Sequence, residues 1–186
     1  MKTKDLILKV SLDLFINKGF QATSTKLILE AANISNGALY HHFSNKEEIV
    51  QELYYTIKDE LTQSIIENTK GTEQFREFLW KHWYTSIQWS ILNPKKKLFL
   101  EMFSNTPTIR NCTQDHILEK TKFIIDKIDE AIRLEIINVP DRDYFLYSFI
   151  ANTDGVIKYL NQYPEKNCME FLQLTFQKYW RLVVNF

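Results

Sequence analysis

The sequence has few of the residues that build turns, with four glycines and four prolines among 186 positions. A fold of many short strands needs such residues at its connections, so their scarcity argues against an all-β protein. The two cysteines, Cys112 and Cys168, lie far apart and lack the spacing of metal ligands. This gives no support to a disulfide framework or a zinc site, and we interpret both residues as buried free thiols.

The chain also has no net charge and no long apolar runs. Basic and acidic residues each number 23, which argues against attraction of the whole chain to nucleic acid. No stretch approaches the roughly 20 apolar residues that span a bilayer, and no signal-peptide pattern is present. We therefore expect a cytoplasmic protein with no membrane partner. Hydrophobic residues make up 45% of the chain, enough to bury a substantial core.

Apolar residues recur at helical spacing throughout, which predicts an all-α fold of about nine helices. The first helix covers 4–18 and ends at Gly19. The second is capped by Thr23 or Ser24 and ends at Asn33. The third runs from Asn36 to about His42 and is capped by Ser35. The second and third helices are short and are joined by three or four residues. This arrangement is a helix-turn-helix.

The later helices follow the same periodicity. We expect a fourth from Ser44 or Asn45 to near Gly71, a fifth from Glu73 to about Leu92, a sixth beginning at Pro94, a seventh from Asn111 to Asn138, an eighth from Asp141 or Asp143 to about Gln162, and a ninth from about Lys166 to the C-terminus. We divide the chain into a helix-turn-helix domain, 1–47, and a second helical domain, 48–186. The helix over 46–70 bridges the two.

Residues of the third helix suit the reading of DNA. Asn36 can hydrogen-bond a base, and Gly37 allows the helix to approach the duplex closely. Leu39 and Phe43 stand four residues apart and can anchor the opposite face. The exposed face would then carry Asn36, Gly37, Tyr40 and His41, while Thr25, Tyr40, His42 and Lys46 can donate to phosphate oxygens. The adjacent His41 and His42 point about 100° apart on a helix, so we expect no shared metal.

The segments 19–24, 32–37 and 39–47, which read GFQATS, ANISNG and LYHHFSNKE, resemble the TetR/AcrR family of repressors. The resemblance implies operator contacts at Thr25, Asn36, Gly37, Tyr40, His41, His42 and Lys46. It also implies effector binding among helices five to eight and a dimer built from the last two helices. Asn33 stands where the family usually has a turn glycine, and Leu29 where it usually has alanine.

The second domain has a dense aromatic set over two neighbouring helices. We consider these residues either ordinary core or the lining of an effector pocket: Trp80, Trp83, Tyr84, Trp89, Phe99, Met102 and Phe103. Glu101, Asn152 and Asp154 could orient a polar or cationic group of the ligand, or could lie at the surface. Both interpretations stay open at this point.

The last two helices carry patterns suited to packing against another helix. Small residues line one strip of the eighth helix at Ser148, Ala151 and Gly155, and the ninth offers a stripe of Phe171, Thr175, Tyr179 and Leu182. Each set could be intramolecular core. The resemblance favours a homodimer interface, in which these helices form a four-helix bundle across a two-fold axis.

We therefore predict a sequence-specific DNA-binding regulator, most simply a repressor released from a palindromic operator by a small apolar or aromatic effector. The first alternative is a helical protein that binds an effector or partner without reading DNA. A remote alternative is an enzyme that uses the aromatic cavity. Because no phosphate loop, metal-ligand cluster or nucleophile motif is present, we expect neither catalysis nor a cofactor.

Overall fold

A computed structural model describes residues 2–104, 106, 109 and 114–184, with 114–119 described as backbone alone. Within these residues the fold is all-α, as the sequence predicts. The nine α-helices are α1 Thr3–Lys18, α2 Thr25–Ala32, α3 Asn36–Tyr40, α4 Lys46–Thr69, α5 Phe75–Leu92, α6 Pro94–Phe103, α7 Gln114–Arg133, α8 Arg142–Gln162 and α9 Met169–Val183. A short 3-10 helix, Pro164–Lys166, lies between α8 and α9. None of the described helices is both long and apolar enough to cross a membrane.

The helix-turn-helix begins and ends as its capping residues dictate. Ser24 caps α2, since its hydroxyl oxygen accepts a hydrogen bond from the Leu27 N–H at 3.2 Å. Asn33 ends that helix in the left-handed conformation, with φ 51° and ψ 49°. Ser35 caps α3 in the same way as Ser24 caps α2, by accepting from the Ala38 N–H.

Two predicted helix ends are wrong. Helix α3 ends at Tyr40 rather than near His42, because the His42 N–H donates to the Leu39 carbonyl, three residues back, and tightens the last turn. Helix α7 ends at Arg133 rather than at Asn138, because Glu135 adopts a left-handed φ of 55°. The predicted start of that helix at Asn111 lies outside the described residues, as does Cys112.

Two compact units divide the chain. The first comprises 1–60 and 93–117, and the second comprises 61–92 and 118–186. The unit that contains the helix-turn-helix thus extends beyond the predicted limit at residue 47: it includes the first part of α4 and all of α6.

The core of the first unit holds α1, α2, α3 and α6 together. Phe15 of α1 is fully buried, and its ring lies 6.3 Å from Phe99 and 5.9 Å from Phe103 of α6. Ile28 and Leu39 supply the buried side chains of α2 and α3. Large apolar side chains of this kind each stabilise the fold by about 1.5–3 kcal/mol when removed from water.

The second unit has a larger aromatic core. Helix α5 contributes Phe78 and Trp83, both fully buried, and packs against α8 and α9. Helix α8 contributes Phe145, whose ring lies 6.1 Å from that of Phe149. The expectation that both cysteines are buried is wrong for Cys168, which is a free and exposed thiol directly before α9.

Candidate nucleic-acid interface

Helix α3 presents a polar face to solvent and is held from behind by apolar side chains. Of its five residues Leu39 is the buried one, with 1% of its surface exposed. Phe43, four residues on, is also buried, and its N–H donates to the Leu39 carbonyl at 2.9 Å. Asn36, in the first turn, is exposed.

Gly37 lies in the same exposed turn, where nothing inside the protein requires a glycine. A Cβ atom built at this position would meet no heavy atom within 4 Å. The absence of a side chain therefore leaves open space on the outer surface of α3. That space allows close approach of a bulky partner such as the walls of a DNA groove.

Hydrogen-bond donors surround α3 on its exposed side. The Tyr40 side chain is 49% exposed. His41 and His42 are exposed as well, with ring centroids 5.0 Å apart at an angle of 68°. Thr25, the first residue of α2, is half-buried next to the Ser24 cap. Hydroxyl and imidazole N–H groups in these positions can donate to phosphate oxygens, and the α2 N-terminus adds backbone amides.

Lys46 has different surroundings from the other predicted contacts. It is half-buried at the first residue of α4, and its ammonium donates to the carbonyl oxygens of Phe20 at 2.6 Å and Thr23 at 2.8 Å. The same nitrogen lies 4.0 Å from the centroid of the Phe20 ring. The expected role of Lys46 as a phosphate contact was based on its position in the motif alone, which does not reveal these intramolecular partners.

Most lysine side chains around the helix-turn-helix are exposed to solvent. Lys26 is exposed and lies 3.9 Å from Glu30, an exposed pair of little energetic weight. Lys4 pairs with Glu52 of α4 at 2.5 Å. Lys9 and Lys18 are exposed on α1. Among the described residues no group of three histidine, cysteine, aspartate or glutamate side chains could hold a metal ion.

The aromatic residues predicted for a pocket fall into two groups. Phe99 and Phe103 are buried in the first unit, where Phe103 also meets Phe20 edge-on at 6.1 Å, and Met102 beside them is 39% exposed. Glu101 is exposed, with its carboxylate 3.4 Å from Lys97. The structure therefore places these α6 residues in the unit of the helix-turn-helix.

The remaining members of the set belong to the second unit, and two of them are core. The Trp83 indole N–H donates to the Asn152 side-chain oxygen at 3.0 Å, which satisfies the polar atom of a fully buried ring. Trp89 is also buried. Trp80 and Tyr84 are half-buried and stack on each other at 5.5 Å. Asp154 of α8 is half-buried.

An open groove of about 540 Å³ lies between α5 and α9 in the second unit. Trp80 is its one residue predicted for ligand binding. The others are Gln74, Arg76, Glu77, Glu170, Gln173, Leu174, Phe176 and Gln177. Apart from Leu174 and Phe176 these residues are polar, and in the sequence they are indistinguishable from an ordinary solvated surface.

His82 of α5 is a half-buried titratable group that the sequence reasoning missed. Its ring lies 5.0 Å from Phe149 and 6.2 Å from Phe78. Burial disfavours the charged imidazolium and lowers the pKa of His82 to about 4. The sequence does contain a pattern that indicates this burial: His82 lies four residues after Phe78 and next to Trp83 on an apolar helix.

Some of the residues predicted for a dimer interface are exposed to solvent. Ala151, Gly155 and Leu182 are exposed, Leu182 at 80%, and Ser148, Phe171 and Thr175 are half-buried. Tyr179 is instead buried in the core, with its ring 6.1 Å from the Phe149 ring. Tyr147 and Ile150 of α8 are exposed apolar side chains that the prediction omitted.

Comparison with known proteins agrees with this geometry. Residues 7–53 match the model of the tetR family of bacterial regulatory proteins. The repressor KstR2 of Rhodococcus jostii is 40% identical over 55 residues, which are 30% of this chain and 27% of that protein. The regulator YhgD of Bacillus subtilis is 24% identical over 135 residues, 70% of this chain and 69% of that protein.

The fold of the rest of the chain also has solved counterparts. A TetR family transcription regulator from Marinobacter aquaeolei VT8 superposes with a TM-score of 0.86 at 20% sequence identity. The match covers 99% of this chain and 96% of that one. Residues 7–53, which contain the helix-turn-helix, form a DNA-binding region of the tetR family of bacterial regulatory proteins, and the chain is a DNA-binding transcriptional regulator.

Proposed function

We propose that the chain is a repressor that binds a pseudo-palindromic operator as a homodimer and leaves it when a small apolar or aromatic effector binds. The observation that carries the proposal is the solvated face of α3, where Asn36, Gly37 and Tyr40 are exposed over the buried anchor Leu39. The relative KstR2 is named as a repressor, which supports the direction of regulation. The regulator acts in the cytoplasm by binding alone, without catalysis.

The homodimer is supported by the outer faces of α8 and α9. Tyr147 is 78% exposed, Ile150 54% and Leu182 80%, so their apolar surface is available to a second copy of the chain. In a helix-turn-helix dimer, the two recognition helices enter successive major grooves of DNA, about 34–36 Å apart. Operator half-sites would then be separated by one helical turn of DNA.

The effector class follows from the aromatic composition of the second unit. The half-buried pair Trp80 and Tyr84 of α5 offers stacked rings. Helix α8, which packs against α5, carries the polar residues Asn152 and Asp154. Planar apolar molecules, with or without a positive charge, suit such surroundings. Effector binding weakens DNA binding when it favours a subunit arrangement that does not fit the operator.

The test is selection of random duplex DNA by the purified protein at physiological salt, followed by sequencing of the retained fraction. The expected result is an inverted repeat whose half-site centres lie one helical turn apart. A single half-site without symmetry would contradict the dimeric mode of binding. No enriched sequence from folded protein would favour the alternative of a partner-binding helical protein that lacks DNA readout.

A matched pair of variants connects this result to α3. Asn36→Ala should change the selected sequence at one position of each half-site, because a base contact specifies sequence. Lys9→Ala, on the exposed side of α1, should leave the selected sequence unchanged. Equal effects of the two substitutions would remove Asn36 from the set of base-reading residues.

A further inference from the structure

Lys46 is the one predicted DNA contact whose side chain is bound to the protein itself. Two of the three N–H bonds of its ammonium are directed to the Phe20 and Thr23 carbonyls, at 2.6 and 2.8 Å. The Phe20 ring lies 4.0 Å from the same nitrogen, within the range of a cation–π interaction. A phosphate contact would have to compete with these partners.

The position of Lys46 in α4 explains why the ammonium needs such partners. The residue lies in the first turn, where the helix dipole is positive and a cation is disfavoured. The neighbouring acids follow the rule, since the Glu48 carboxylate accepts from the Ser44 N–H at 2.7 Å. Two carbonyl dipoles and an aromatic face offset the unfavourable placement of the lysine.

The carbonyls that Lys46 holds belong to the turn between α1 and α2. Thr23 is fully buried, its hydroxyl donates to the Gly19 carbonyl at 2.8 Å, and its N–H donates to the Phe20 carbonyl. Ser24, the next residue, caps α2, and Thr25 begins that helix. Fixing the Thr23 carbonyl therefore fixes the point from which α2 starts.

We infer that Lys46 is a positioning residue that ties the turn over 19–24 to the first residue of α4, and acts on DNA through the placement of α2 rather than through a phosphate. The inference rests on the DNA-binding function. It assigns to a charged residue of the motif a role that its charge alone would not suggest. Thr25 and the N-terminal amides of α2 are the groups whose placement depends on it.

The first experiment uses the free protein, so it does not depend on the DNA. Lys46→Met keeps the length of the side chain and removes the charge and the donors. Amide hydrogen exchange at Thr23 and Leu27, whose N–H groups bond within the turn and to the Ser24 cap, should become at least about tenfold faster, since charge-assisted hydrogen bonds are lost. Lys9→Met is the matched control and should leave both rates unchanged.

The second experiment measures affinity for the selected DNA over a range of salt concentrations. For Lys46→Met we expect about tenfold weaker binding, with the slope of log affinity against log salt equal to that of the unsubstituted protein. A phosphate contact would instead reduce the slope by about 0.9 for each lysine lost. Unchanged exchange rates, or a reduced slope, would each overturn the inference.

A second variant covers the case in which Lys46→Met does not fold. Lys46→Arg keeps the positive charge but replaces the compact ammonium by a planar guanidinium, whose geometry does not reproduce the two hydrogen bonds to the Phe20 and Thr23 carbonyls. If Lys46 acts through the turn, exchange at Thr23 should accelerate and DNA affinity should fall. If Lys46 is a phosphate contact, both should stay as in the unsubstituted protein, which would refute the inference. A protein that binds no DNA at all would contradict the proposed function, while the exchange rates would still decide the role of Lys46.

Discussion

Aromatic side chains around α3 differ in exposure from those in the core of the second unit. In the unit of the helix-turn-helix, Tyr40 and the two histidines stand exposed around α3, while phenylalanines hold the helices from behind. In the second unit Trp83 and Phe78 are fully buried, and the indole N–H of Trp83 finds its partner on a neighbouring helix. Aromatic density therefore indicates core, whereas exposure next to an anchored short helix indicates a site.

The largest effect that would test this contrast is expected from Trp83→Ala. Truncation of a fully buried tryptophan should lower the free energy of unfolding by about 3–5 kcal/mol, measured by urea denaturation. Tyr40→Ala, at a 49% exposed position, should change it by less than about 0.5 kcal/mol. Similar losses in the two variants would break the comparison.

The next effect concerns the hydrogen bond between Trp83 and Asn152. Asn152→Ala leaves the buried indole N–H without its 3.0 Å acceptor and should lower the free energy of unfolding by about 1–3 kcal/mol. In a Trp83→Phe background the same substitution should cost less, since no indole N–H remains to be satisfied. Additive losses in this double-mutant cycle would show that the two side chains are not coupled.

The fold of the helix-turn-helix could be predicted from the sequence more fully than that of the second unit. Ser24, Asn33 and Ser35 set helix ends through local hydrogen bonds and dihedral preferences, so the helix-turn-helix could be predicted residue by residue. The end of α7 could not, because Glu135 takes a left-handed φ with no glycine or asparagine to signal it. Its placement depends on tertiary contacts such as the hydrogen bond from the Asn138 N–H to the Val183 carbonyl at 2.7 Å.

The same division applies to the candidate site. The exposure of Asn36, Gly37 and Tyr40 could be predicted because they are polar or small residues around the one aliphatic anchor, Leu39. The partners of Lys46 lie 26 and 23 residues earlier in the chain, a separation over which no periodic pattern extends. The role of Phe99 was missed for the same reason, since it packs on Phe15 far earlier in the chain.

A moderate effect is expected from pH, through His82. The unfolded residue titrates near 6.5 and the folded one near 4, so the stability is complete above about pH 6.5 and declines as the pH falls towards 4. Between pH 7 and pH 5 we expect a loss of about 2 kcal/mol by urea denaturation. His82→Phe should flatten this dependence, and His41→Gln should not. A dependence that survives His82→Phe would assign it to other groups.

The smallest effect on stability, and the sharpest on function, is expected from Tyr40→Phe. Loss of one exposed hydroxyl should leave the free energy of unfolding within about 0.5 kcal/mol of the original. Affinity for the operator should fall about fivefold, because one hydrogen bond to a phosphate is lost. Undiminished affinity in a binding titration would remove Tyr40 from the interface.

The single buried residue of α3 has a consequence for engineering. Since Leu39 alone anchors the five-residue helix and Ser35 caps it from outside, the positions 36, 37 and 40 are exposed and make little contribution to the core. A combinatorial library at these three positions would sample new operator preferences on an unchanged scaffold. Such a library should lose few members to misfolding, which makes this helix a natural target for orthogonal genetic circuits.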